Sequence, residues 1–164
     1  MIEELLTGVT EYLENLDGII REGAQSCEQE ILQEQREQLF SGKASSGEDL
    51  RPYYSEDLQS SGGYFKNIDS ARRYKQWKAE LTYPSQTERA NLDAPNLYIN
   101  GKFHLELGMQ FDEETMSVEG TTNYAQRIMD KYGWRNFGLM DERWATILDN
   151  YIQPYMVNEL KNRL

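Results

Sequence analysis

Apolar side chains recur at helical spacing through almost the whole first quarter of this chain, and that stripe limits the fold more than any other feature. Leu5, Leu6, Val9, Tyr12, Leu13, Leu16, Ile19 and Ile20 follow the i, i+3, i+4, i+7 rule, and Ala24, Cys27, Ile31, Leu32, Leu39 and Phe40 resume it. The spacing predicts helix over residues 2–40, with Asp17-Gly18 marking a kink or a break into two helices. Glu11, Glu14, Glu28, Glu30, Glu34 and Glu37 occupy the other face. Such a helix is either a packing arm, the reading preferred here, or a coiled-coil element.

The period changes near residue 96. Leu97-Tyr98-Ile99 is a short β-like run, followed by Asn100-Gly101, a dipeptide that suits tight turns because both positions tolerate positive φ. Leu105, Leu107, Met109 and Phe111 then alternate with polar or small residues, which predicts a half-buried strand. Asp112 to Thr115 form a turn and Met116 to Glu119 the returning strand. A helix from Tyr124 to Tyr132 is stopped by Gly133. Asp141 caps a last helix that carries Trp144, Ile147, Leu148, Tyr151, Ile152, Tyr155 and Met156 on one face and is kinked at Pro154. Upstream, Ser41 to Gly47 and residues 82–95 read as loops, residues 48–66 as irregular and exposed, and Ser70 to Leu81 as a helix capped by Asp69 or Ser70. The fold expected is α+β in one domain over 1–164. It comprises a long N-terminal helix (1–40), a loop-rich segment with a short basic helix (41–95), and a hairpin-plus-helices region (96–164). That region holds a small antiparallel sheet around 97–119 and two C-terminal helices.

Charge is segregated. The net charge is −11, with 14 acidic and 4 basic residues in 1–60, 3 and 6 in 61–90, and 11 and 7 in 91–164. An acidic body argues against bulk nucleic-acid binding, which depends on neutralising phosphates. Acidic and basic regions in one chain suit head-to-tail contact between copies, or serve solubility alone. A single cysteine excludes an internal disulfide, and no apolar run approaches the roughly 20 residues of a membrane span. The acidic start lacks the pattern of a secretory signal, so folding inside a cell is expected.

Catalytic constellations are scarce. His104 and Cys27 are each the only residue of their kind, they fall in different elements, and no G-x-S-x-G turn accompanies them. Zinc would need more His and Cys ligands, and Gly62-Gly63 lacks the Lys-Ser/Thr of a phosphate-cradling loop. Neither catalysis, a cofactor nor a metal is expected. Asp112, Glu113 and Glu114 are either a solvated turn, the simpler reading, or part of a divalent-metal nuclease site.

Two groups of residues are candidates for an interface. The first is Arg72, Arg73, Lys75, Trp77 and Lys78, a basic and aromatic run that would meet either an acidic partner or DNA, DNA being the less favoured. The bland alternative buries Tyr74 and Trp77 under a surface helix while the lysines stay wet. The second is Tyr53, Tyr54, Tyr64 and Phe65, which either anchor an interface or cover the domain's own core.

The stretch Leu97 to Leu139 resembles the tail-completion, or virion-morphogenesis, family of tailed bacteriophages and related head–tail joining proteins. The resemblance lies in Leu97-Tyr98-Ile99-Asn100-Gly101-Lys102-Phe103, the strands Leu105 to Phe111 and Met116 to Gly120, Tyr124-Ala125 opening a helix that ends at Lys131-Tyr132-Gly133, and Phe137-Gly138-Leu139 before Asp141. Glu34 to Gly47 and Leu50-Arg51-Pro52 are similar in outline. Asn100 stands where Thr or Ser is usual, Phe103 where Leu is, and residues 58–95 form a long polar insertion. The resemblance implies a non-enzymatic virion structural protein of the neck, a tail-completion or tail-terminator-type subunit of a homo-oligomeric ring. It would be made in the host cytoplasm and would contact portal, neck or tail-tube proteins but no membrane. Whether it belongs to the head connector or the tail side is left open. A metal nuclease and an acidic helical adaptor or regulator are the competing readings.

Overall fold

The structure is a computed structural model, described here over residues 2–50, 67–81, 94–112, 115–133 and 136–164. Tyr53, Tyr54, Tyr64, Phe65, Glu113, Glu114 and the expectations for residues 51–66 and 82–93 lie outside the described residues. The fold is mixed, mostly helical, and among the described residues it has one two-stranded antiparallel sheet. Among the described residues no helix is long and apolar enough to cross a membrane.

The N-terminal stripe is helical throughout, in three pieces: α1 (Ile2–Glu14), α2 (Leu16–Ser26) and α3 (Glu28–Phe40). The breaks fall at Asn15 and Cys27, not at Asp17-Gly18. Both residues leave the helical basin, with φ/ψ of −107°/17° and −117°/28°. Gly18 sits inside α2, where the Asn15 side chain occupies the space that a Cβ at Gly18 would need. The missing side chain therefore admits a neighbour and does not break the helix.

The chain divides into two compact units, Met1–Ile31 with Asp141–Leu164, and Leu32–Met140. In the first, α1 and α2 pack against the C-terminal helices. These are α7 (Asp141–Ile147), a wide π turn (Leu148–Ile152) and α8 (Gln153–Arg163). Contacts are close because small residues face them. Gly8 lies against the Arg163 carbonyl, and a Cβ on Gly23 would come within 3.2 Å of the Tyr155 ring. Tyr12, Ile19, Ala24, Cys27, Ile147 and Ile152 are buried.

The expected kink at Pro154 takes the form of that π turn, placed just ahead of the proline. Proline has no N–H for the carbonyl four residues back, so the hydrogen-bond ladder must shift. The Gln153 N–H reaches back five residues to Leu148 O. The wider turn rotates Leu148 and Tyr151 outward, and both are exposed, contrary to their expected place on the packed face.

The second unit has one apolar core of Leu32, Leu39, Ala44, Leu50, Phe103, Leu107, Ala125, Met129 and Phe137. β1 (Leu107–Phe111) pairs with β2 (Met116–Gly120) in the register Leu107↔Gly120, Met109↔Val118, Phe111↔Met116. A lone hairpin is marginal in water. Here α6 (Asn123–Tyr132) covers it, with Thr122 Oγ1 capping by accepting from Ala125 N and Gly133 (φ 88°) ending it as expected. Gly120 makes the cover possible, because a Cβ there would meet Gln126 N at 2.5 Å.

Two expectations near the hairpin are corrected. Leu97-Tyr98-Ile99 forms no strand, and Leu97 has a φ of 54°. The strand begins at Leu107, not Leu105, because Lys102–Leu105 is one helical turn, α5. Gly101 (φ 80°) starts that turn, and Asn100 Oδ1 accepts from Lys102 N. Local capping thus overrides the alternating pattern, and Leu105 points to solvent.

Candidate functional site

The basic and aromatic run forms α4 (Ile68–Ala79), begun by Asn67, whose Oδ1 accepts from Ser70 N at 2.8 Å. Asp69 and Ser70, the caps that the sequence suggests, both lie inside the first turn. Arg72, Arg73 and Trp77 are exposed, while Tyr74 and Lys75 are half-buried. The Tyr74 and Trp77 rings lie 5.5 Å apart, one helical turn from each other. Arg72 is 3.8 Å from Asp69, an exposed pair that holds little.

Lys78 is not a surface residue. It is 2 % exposed, and its ammonium donates to Asn96 Oδ1 at 2.8 Å. Trp77, by contrast, is 43 % exposed. The alternative of covered aromatics and wet lysines is therefore reversed at these two positions. Burying an ammonium is costly unless a strong acceptor meets it, and the buried Asn96 carboxamide is that acceptor.

Asn96 links Lys78 to the histidine. His104 Nε2 lies 3.1 Å from the Asn96 carbonyl, and the imidazole packs against Phe40 at 4.3 Å between centroids, with Tyr98 and Phe103 edge-on. Arg36 Nε donates to His104 O at 2.9 Å. Burial above all, then the nearby Arg36 and Lys78 charges, push the imidazole down to about 4, with Glu37 opposing. The ring is therefore neutral near pH 7. It can meet a carbonyl only as a donor, so Nε2 carries the proton and Nδ1 is left as an acceptor. Among the described residues Nδ1, Asn96 Nδ2 and Gln35 Nε2 have no hydrogen-bond partner.

This arrangement holds α4 in place. Cys27 is buried, and its thiol is pushed up by burial first and the Glu30 carboxylate second, the opposite of what a nucleophile needs. The expectation that His104 has a hydrogen-bonded ring holds, although the residue sits on α5 and not in a strand or turn. Asp112 is engaged in its own hairpin, accepting from Gln110 Nε2 and Thr115 Oγ1. Among the described residues no three His, Cys, Asp or Glu side chains are placed to share a metal ion.

Sequence reasoning missed Gln35 and Gln38. Both are fully buried and serve as hydrogen-bonding brackets for the segment after α6. Gln35 Oε1 accepts from Gly138 N, Gln38 Nε2 donates to Gly138 O, and Gln38 Oε1 accepts from Met140 N, each at 2.8 Å. The signal was present: both glutamines continue the apolar stripe between Leu32 and Leu39. No family model, no curated protein and no solved structure matches this chain.

Proposed function

We propose that this chain is a non-enzymatic structural subunit of a tailed-bacteriophage particle, acting in a ring at the head–tail junction as a neck or tail-completion protein. The observation that carries the reading is the ordered series of motifs from Leu97 to Leu139. Its members divide between core and surface, with Ile99, Leu105 and Tyr124 exposed. Phe103, Leu107, Ala125 and Phe137 lie in the core of the second unit, with Leu97, Val118 and Tyr132 packed on it, and Gly120 and Gly133 stand where backbone geometry calls for glycine. A sequence pattern spent on a hairpin clasped by a helix describes a rigid platform for contacts. Exposed Arg73 and Trp77 on α4 are residue types that interfaces draw on.

The experiment is genetic. In the genome that encodes this chain, the gene should lie among portal, capsid and tail-tube genes. A stop codon in it should leave filled heads and finished tails unjoined in electron micrographs. A gene remote from such neighbours, or normal particles from the stop mutant, overturns the reading.

A further inference from the structure

One face of α1 packs on α8 through Gly8 and Tyr12, whose hydroxyl donates to Met156 O. The adjoining face does not. Ile2, Leu5, Leu6 and Leu13 are 46–77 % exposed, and at i, i+3, i+4 and i+11 they form one continuous stripe. Four large aliphatic side chains in a row facing water mark a contact surface. Helical spacing puts Glu3 and Glu14 along its free edge, and α1 carries four glutamates and no Lys or Arg. Two such stripes packed face to face would bring like charges together, which disfavours a symmetric α1–α1 pair. The complement is an apolar surface beside basic groups. Among the described helices α4 has the largest basic excess, and with the buried Lys78 set aside Arg72, Arg73 and Lys75 still stand against Asp69. Arg73 and Trp77 are one turn apart and both exposed, with Tyr74 beside them.

We propose that the Ile2–Leu13 stripe of α1 docks on the Tyr74–Trp77 ring pair of α4 in a second copy of this chain, with Glu3 and Glu14 beside the neighbour's Arg73. This rests on the ring reading above and gives it a contact. The donating and receiving surfaces differ, so the contact is head-to-tail and can close into a ring. A tryptophan desolvated by leucines, with an arginine at its edge, is the kind of centre that dominates binding energy.

The test uses two full-length variants, Leu6→Asp and Trp77→Ser, each at an exposed position and each checked for unchanged helicity by circular dichroism. Sedimentation of the wild type should show assemblies, and each variant alone should associate about tenfold more weakly or worse. Mixed, the two should form 1:1 dimers and stop there, since each retains the surface the other lacks. Glu3→Lys should weaken association severalfold, and adding Arg73→Glu to it should restore it. Self-association of Trp77→Ser to the wild-type extent while Leu6→Asp loses it would mean an α1–α1 contact and overturn the proposal. A monomeric wild type, or a mixture that stays monomeric, also overturns it. If wild type and both variants all assemble alike, this contact is wrong while the ring stands; loss of the ring reading itself is decided by the stop-codon particles.

Discussion

The two compact units solve the problem of burying a core in different ways. In the unit made from the two ends of the chain, helices approach over Gly8, Gly23 and Ala24, and the buried side chains are chiefly aliphatic. In the unit of residues 32–140, a core of aliphatic side chains with Phe103 and Phe137 is joined to buried polar groups: Gln35 and Gln38 on backbone, and Lys78 on Asn96 beside His104. The first depends chiefly on shape and the second on shape plus buried hydrogen bonds. Mutational damage should differ accordingly, since dispersion losses are graded while an orphaned buried donor costs its whole desolvation.

The sharpest contrast comes from the same substitution in each unit. Gly120→Ala places a methyl 2.5 Å from Gln126 N and 2.8 Å from Ala125 C, backbone atoms of the first turn of α6, which Thr122 caps and holds. A loss of about 3 kcal/mol in urea unfolding is expected. Gly8→Ala meets the Arg163 carbonyl in the final turn of α8, where a helix end can fray, so about 1 kcal/mol is expected. Equal losses would erase the distinction.

Acid should single out the second unit. His104 has an ordinary value of 6.5 and is lowered to about 4 when folded, so between those values the unfolded chain binds the extra proton. Its contribution is whole above pH 6.5, declines as pH falls through that window, and is gone below about 4, amounting to about 3 kcal/mol. Hydrogen exchange at pH 7 and pH 5 should show amides of residues 94–112 and 115–133 losing protection, and His104→Gln should flatten that dependence. The unit built from the chain ends has no histidine and should lack the effect.

Gln38→Leu keeps the bulk but orphans Gly138 O and Met140 N, at a cost of about 2 kcal/mol by thermal unfolding. Its counterpart in the other unit, Tyr12→Phe, removes one bond of 3.2 Å to Met156 O and should cost about 0.5–1 kcal/mol. If Gln38→Leu proves no worse than Tyr12→Phe, the polar brackets are ornamental.

The sequence made some of this legible and hid the rest for definable reasons. Helical periodicity located the N-terminal stripe, and alternation located the hairpin, because side-chain spacing is fixed by backbone geometry. The breaks at Asn15 and Cys27 were not legible, since single residues in the bridge region have no signature as strong as glycine or proline. Nor was the pairing of both chain ends in one unit, which depends on contacts between residues more than 100 apart in sequence, such as Tyr12 with Met156. At the candidate surface Arg72 and Arg73 are exposed; Trp77, which the bland alternative buries, is exposed too, and Lys78, which that alternative leaves wet, is withdrawn. Its neighbours in sequence gave no hint, because the acceptor that tolerates its charge is Asn96, from a distant segment.

The wide turn before Pro154 has a further consequence. Ile147 and Ile152 are both buried although five residues apart, a step that an ordinary α-helix would rotate out of line by about 140°. The extra residue in the turn realigns them, so the phase of the inward-facing positions slips by one between α7 and α8. A single repeating interval drawn through residues 141–163 would assign Leu148 and Tyr151 to the interior, where they are not. Comparisons of this segment with any other helix must admit a one-residue gap at that point, or every position after it will be matched to the wrong side.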